Sequence, residues 1–368
     1  MSVPFHGSYN AEDVTFLLTP LTVPLISVDE KERRIQSGKS HYSEMLSPER
    51  PPSERYLSLF YAALERNLTG FARDVSYLAH AVASTTPGPV TLISLARAGT
   101  PVGVLLRRLL EQRFGQKDVK HYSVSIIRDR GIDENALLHI LGPENRAQNG
   151  VVFVDGWTGK GVIQRELKSA VLKFNKRHGF KLSPELFVVA DLCGVAGTAA
   201  TTRDYLIPSS ILNASVSGLV SRSILNSDYT GPEDFHGCVY FKDQESRDLS
   251  RWFVDTVIKK AMLEDTDILP SFSMPHEKER LLLQKQSTAF IASVMKEYNV
   301  GNENHIKPGI GEATRVLLRR TPHLLLLRDN ADPDVTHLLD LAMEKNIPVE
   351  LRPELPYKAV ALIKELLP

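Results

Sequence analysis

Apolar and polar positions change rhythm several times along the chain. Val14–Val28 (VTFLLTPLTVPLISV) is dense in branched and aromatic residues but interrupted by prolines, which fits an extended or edge-strand arm. After the Pro-rich Ser47–Ser53, apolar residues Tyr56, Leu59, Phe60, Ala63 and Leu64 recur at helical spacing, predicting a helix to about Ser84. Short apolar runs then alternate with amphipathic stretches: strand Val90–Leu95, helix Pro101–Phe114, strands Tyr122–Ile127 and Val151–Val154, helix Gly161–His178, strand Leu186–Asp191 and helix Ser246–Met262. This alternation predicts an open α/β domain on a parallel sheet.

Periodicity stops at Glu264–Pro275 (EDTDILPSFSMP), where acids, prolines and serines mix. The division is therefore residues 1–263 with an N-terminal arm over 1–52, a linker over 264–275, and a second domain over 276–368. In that second domain helices are expected at Glu277–Tyr298, Gly311–Arg319, Asp332–Lys345 and Tyr357–Leu367. Strands are expected at His323–Leu327 and Val349–Leu351, making a smaller α/β unit.

Charge adds little, because 44 basic and 44 acidic residues balance and any polyanion face must be local. Two cysteines, Cys193 and Cys238, build no disulfide framework and suit a reducing compartment, so the cytoplasm is expected. Met1–Asn10 lacks the basic and apolar run of a leader, and no stretch approaches the roughly 18 apolar residues of a membrane span.

The chemistry concentrates in VVFVDGWTGKG. An apolar strand ends in Asp155 and passes through Gly156, Trp157, Thr158, Gly159, Lys160 and Gly161 into a helix. Glycines admit an anion to the backbone, a hydroxyl and loop amides can donate to it, and a helix N-terminus adds a favourable dipole. Asp155 suits ribose hydroxyls or Mg²⁺ carried by a pyrophosphate. The spacing of a P-loop nucleotide motif and the dinucleotide fingerprint are both absent.

Strand, acid, T-G-x-G and helix resemble the sugar-phosphate motif of type I phosphoribosyltransferases, with Asp155-Gly156 where that family has two adjacent acids. TLISLARAGTP, carrying Arg97, Ala98 and Gly99, resembles the family's pyrophosphate loop, although a structural ion pair is an equal reading of Arg97. IIRDRGID places Arg128 and Arg130 where the family has a mobile closing loop, the alternative being a solvated basic turn. SLARAGTP, IIRDRGID and VDGWTGKG together resemble a phosphoribosyltransferase-related family of bacterial tellurite-resistance and stress operons, also labelled StiP-type cysteine protease.

The resemblance implies a type I phosphoribosyltransferase-like fold and an enzyme that makes or breaks an N-glycosidic bond. Its expected partners are Mg²⁺-bound phosphoribosyl pyrophosphate or a nucleotide, and a nitrogenous base or nucleoside-like acceptor. Asp155, Arg128 and Arg130 are the expected catalytic residues, with Asp191, Cys193 and Arg203 near the acceptor.

Two alternatives stand beside it. One is a cysteine peptidase using Cys193, whose base would be His121, His178 or His236, against a small buried hydrophobe at a strand end. The other is a noncatalytic adaptor that binds nucleotide and RNA.

The segment HIKPGIGEATRVLLRRTPHLLLL resembles the Pelota-type RNA-binding domain. This implies RNA contacts from Lys307, Gly309, Gly311, Glu312, Arg315 and Arg319, although basic residues at helical spacing also form ordinary solvated faces. The oligomeric state is open.

Overall fold

The computed structural model describes residues 4–49, 51–264 and 277–365. The arm supplies β1 (Thr15–Leu17) and β2 (Thr19–Pro20), then a charged helix α1 (Val28–Gln36). Helix α2 (Glu54–Thr85) starts where the Ser53 hydroxyl accepts from the Tyr56 amide. Its Phe60, Phe71, Val75 and Leu78 stripe is fully buried, as the spacing predicted.

The α/β series follows as β3 (Val90–Ala96), α3 (Gly99–Gln112), β4 (Val119–Ile127), β5 (Gly131–Ile132), α4 (Glu134–Leu141), β6 (Val151–Thr158), α5 (Val162–His178), β7 (Leu186–Asp191), β8 (Thr198–Thr201), β9 (Gly237–Cys238) and α6 (Ser250–Leu263). Six strands pair in parallel in the order β1-β4-β3-β6-β7-β8, and β5 hairpins back onto β4. The arm is an edge strand, as its prolines implied. Strand order reverses direction at β3, so a crevice is expected beyond the carboxyl ends of β3 and β6.

The second unit contains α7 (Glu277–Glu297), β10 (Ile306–Pro308), α8 (Ile310–Arg319), β11 (Pro322–Leu327), α9 (Thr336–Glu344), β12 (Val349–Leu351) and β13 (Ala359–Ile363). Its sheet runs β10-β13-β11-β12. The helix expected over Tyr357–Leu367 is instead strand β13, with all five residues buried between β10 and β11. A short apolar run buried on both faces carries no period that separates strand from helix. The linker expected over 264–275 lies, apart from Glu264, outside the described residues.

The two units interlock. Asp204 accepts from the Ile310 and Lys358 amides at 3.0 and 2.8 Å, Arg320 pairs with the buried Glu32, and Asn67 donates to Asp334 at 3.0 Å. No helix among the described residues is long and apolar enough to cross a membrane.

Candidate functional site

Strand β6 delivers Asp155 and Trp157 to the sheet's carboxyl edge, and the chain turns through Gly159 and Lys160 to Gly161, whose left-handed backbone (φ 77°) starts α5. This turn faces α8 of the second unit. The Arg315 guanidinium lies 4.3 Å from the Trp157 ring centre, and a Cβ on Gly311 would come within 2.5 Å of the indole, so only glycine permits that approach.

A cavity of about 1190 Å³ opens between the units. Residues Asp155 and Trp157 to Gly161 line one side, while Lys307, Glu312, Arg315 and Arg319 line the other. The turn expected to hold an anion and the segment expected to face RNA therefore share one cavity. None of the six expected RNA-facing residues is exposed in this arrangement.

Burial pushes the Asp155 carboxyl up to about 6, partly offset by Arg315 and by the Gly156 amide, which donates to it at 2.7 Å. Burial and the neighbouring Lys307 bring the Lys160 ammonium down to about 7. Lys31 falls to about 7 through burial and the Arg222 and Arg320 charges. Among the described residues, no group of three side chains able to hold a metal ion forms.

Several expected site residues lie elsewhere. Arg97 is buried and is not among the residues that line the cavity: its Nη2 donates to both Glu49 carboxylate oxygens at 2.7 and 2.8 Å, and its Nη1 donates to the Val220 carbonyl at 2.6 Å. The structure gives Arg97 the ion pair of its structural reading, with both terminal nitrogens engaged and Nε buried without a partner. Ala98, Gly99 and Gly156 pack behind the turn, with Gly99 close against the β6 backbone.

Arg130 pairs at the surface with Glu44 at 2.5 Å, on a hairpin pinned by β5, whereas Arg128 does line the cavity. Arg203 is exposed and stacks 5.7 Å from the Tyr205 ring centre. The Thr158 hydroxyl donates to Asp191 at 2.5 Å and is not available to an anion.

Asp191 and Cys193 form a separate corner at the tip of β7. Asp191 accepts from Thr158, from the Cys193 amide at 3.1 Å and from the Ala196 amide at 2.8 Å, which closes the turn. Cys193 Sγ lies 3.6 Å from Thr158 Oγ1 and 3.7 Å from Asp191 Oδ1.

Helix α7 seals this corner. Gln284 donates to the Gly194 carbonyl at 2.7 Å, and a Cβ on Gly194, whose φ is +70°, would lie 2.3 Å from the Arg280 carbonyl oxygen. Burial, then the Asp191 charge, pushes the Cys193 thiol up to about 12.

The three expected imidazoles are engaged elsewhere. His121 bridges the Asp13 carbonyl and Ser94, His236 bonds Ser125 at 2.7 Å, and His178 meets Glu134 at 3.4 Å. Cys238 is fully buried among apolar side chains, which raises its thiol pKa further.

Residues 7–258 match the family described as "Tellurite-like stress resistance cysteine protease StiP", and residues 285–365 match the "PELOTA RNA binding domain". A protein of Acinetobacter baylyi (strain ATCC 33305 / BD413 / ADP1), described as "Cysteine protease StiP", is 39% identical over 372 residues. That alignment covers 98% of this chain and 95% of that protein. The chain belongs to the StiP family. A solved chain described as "Analysis of an invariant aspartic acid in HPRTs-asparagine mutant" is 13% identical, covering 48% of this chain and 92% of that one, at a TM-score of 0.25, too low to bear on the fold.

StiP membership overturns the phosphoribosyltransferase expectation, since family and relative alike are described as cysteine protease. The motif misled because a strand, an acid, a glycine turn and a helix recur wherever a parallel sheet meets a crevice. Sequence reasoning also missed Lys31 and Tyr42, and did not select Arg222. Lys31 sits in VDEKERRIQ, which reads as a solvated face until the fold lays it against the cavity.

Proposed function

We propose that this chain is a cysteine protease whose nucleophile is Cys193. Family membership supports the reaction class. Of the two cysteines, Cys193 alone stands at a parallel-strand carboxyl end with an ionisable carboxylate in reach of its sulfur, and that contact carries the assignment. In the proposed reaction the thiol proton passes to Asp191 and sulfur adds to the peptide carbonyl. The C–N bond then breaks as the amine leaves with the proton, and water hydrolyses the thioester.

Burial and the Asp191 charge both favour the protonated thiol here, so the proposed reaction needs that burial relieved. In the proposed reaction α7, held to Gly194 by Gln284, lifts to admit substrate. The test incubates wild type, Cys193→Ala and Cys238→Ala with an unstructured protein such as casein and identifies products by mass spectrometry. Cleavage is expected in wild type and Cys238→Ala and to be lost in Cys193→Ala. Equal cleavage by Cys193→Ala sinks the assignment.

A further inference from the structure

We infer that the cavity between the two units is the substrate cleft of the protease and that it selects peptide segments rich in aspartate and glutamate. This deepens the protease reading and rests on it. The turn over 158–161 is the wall that cavity and thiol share. Thr158 and Gly161 line the cavity. The same Thr158 holds its hydroxyl 3.6 Å from Cys193 Sγ, and a Cβ on Gly161 would come within 3.0 Å of the Val195 side chain, two residues beyond the thiol. A peptide lying in the cavity has only this turn to cross to present a bond to Cys193 once α7 lifts.

The charge of the cavity selects the peptide. Ten cationic side chains and five carboxylates line it. Three of the carboxylates are already paired, Glu312 with Arg315, Asp340 with Arg55 and Glu49 with Arg97. Five of the cations, Lys31, Lys160, Arg222, Lys307 and Arg319, have no ion-pair partner among the described residues. Arg222 bonds the Met45 carbonyl through one terminal nitrogen, and its other terminal nitrogen is buried without a partner. A substrate carboxylate supplies the acceptor that this N–H lacks, whereas a basic segment adds like charge to a wall that already repels it.

The cations stand in two groups. Lys160 is disfavoured as a cation by burial and then by Lys307, and Lys31 by burial and then by Arg222 and Arg320. Two groups call for negative charges spaced along a chain. An extended peptide does this, because its side chains alternate and those on one face recur about every 7 Å.

Size and apolar lining agree. The volume of about 1190 Å³ exceeds the roughly 300–1,000 Å³ of small-molecule pockets, and Val28, Ile35, Val162 and Ile163 give a peptide an apolar floor between its charges. The Tyr42 ring lies 5.2 Å from the Arg128 guanidinium and 5.7 Å from that of Arg222, which fixes both forks at the wall.

The test uses the full chain and three ten-residue peptides in which serine alternates with glutamate, glutamine or lysine. Calorimetry on Cys193→Ala reads binding without cleavage. The glutamate peptide is expected to bind at least tenfold tighter than the glutamine peptide, and the lysine peptide to give no heat. Lys160→Gln and Lys307→Gln, each placed in Cys193→Ala and confirmed as folded by circular dichroism, should weaken the glutamate peptide at least fivefold. With wild type, excess glutamate peptide should suppress casein cleavage and the glutamine peptide should not.

The proposal is overturned if the glutamate and glutamine peptides bind alike, if both lysine variants bind unchanged, or if saturating glutamate peptide leaves casein cleavage untouched. It is also overturned if a twelve-nucleotide single-stranded RNA binds and the glutamate peptide does not displace it. Failure of the protease reading shows separately, as equal casein cleavage by wild type and Cys193→Ala whatever the peptides do.

Discussion

The tips of β6 and β7 are neighbours in one sheet yet meet opposite surroundings. At β6 the chain opens onto a cavity crowded with cations, and Asp155 accepts a single backbone hydrogen bond. At β7 the chain folds back on Asp191, which accepts from a hydroxyl and two amides, and α7 closes over the thiol beside it. Both aspartates are buried at strand ends. The number of donors each receives separates a carboxylate that organises a turn from one held as a charge in a binding wall.

The comparison breaks most readily at the wall that faces β6. Arg97→Ala leaves Glu49 buried beside the cavity without the guanidinium that meets both its oxygens, with an expected loss of about 3–5 kcal/mol in urea unfolding. An unchanged midpoint would mean that Glu49 turns to solvent and that the wall stands without it.

The seal over β7 is broken by Gly194→Ala, which puts a methyl against the Arg280 carbonyl from a left-handed position. This should destabilise by about 2 kcal/mol or more. Because α7 has to shift, Cys193 should be alkylated by iodoacetamide faster than in wild type, while Cys238 stays unreactive. Unchanged labelling of Cys193 would show that α7 is not what shields it.

Much of this contrast is legible in the sequence. The β6 turn announced itself through its acid, glycines and lysine, and six of its residues do line the cavity. The parallel sheet flanked by helices followed from apolar runs alternating with helical spacing. What sequence could not supply was the partner of each charge.

Arg97 and Arg128 look alike in one dimension, but the first meets Glu49, 48 positions upstream, and the second faces a cavity. Cys193 reads as a strand-end thiol, with nothing to say that α7, about 90 residues later, covers it. Strand β13 was mistaken for a helix for a related reason, because burial on both faces erases the period that distinguishes the two.

The two aspartates themselves sharpen the comparison. The folded pKa of Asp155, about 6, exceeds the ordinary 3.8, so the folded state holds this proton more tightly than the unfolded chain does. Its ionisation therefore opposes folding above pH 6, and that penalty is absent below about 3.8. Asp155→Asn should raise stability on the order of 1–3 kcal/mol at pH 7.5, with the gain vanishing as pH falls to 4, read from thermal unfolding across pH. Asp191→Asn should do the reverse, lowering stability by about 1–3 kcal/mol at pH 7.5, because an amide offers one acceptor oxygen where two were in use. Equal signs for the two substitutions would dissolve the distinction between the tips.

The smallest effect is expected at Arg130, outside both sites. Its partner Glu44 shares a half-exposed pair at the surface, and such pairs contribute under about 1 kcal/mol because solvent screens them. Arg130→Ala should leave unfolding and casein cleavage within error of wild type. Arg128→Ala, two residues earlier, removes a guanidinium that lies over the Tyr42 ring, and should lower stability by about 0.5–1 kcal/mol in urea unfolding. If Arg130→Ala instead cost several kcal/mol, its pair with Glu44 would hold the hairpin as a buried pair would, and the boundary between wall and surface would be wrong.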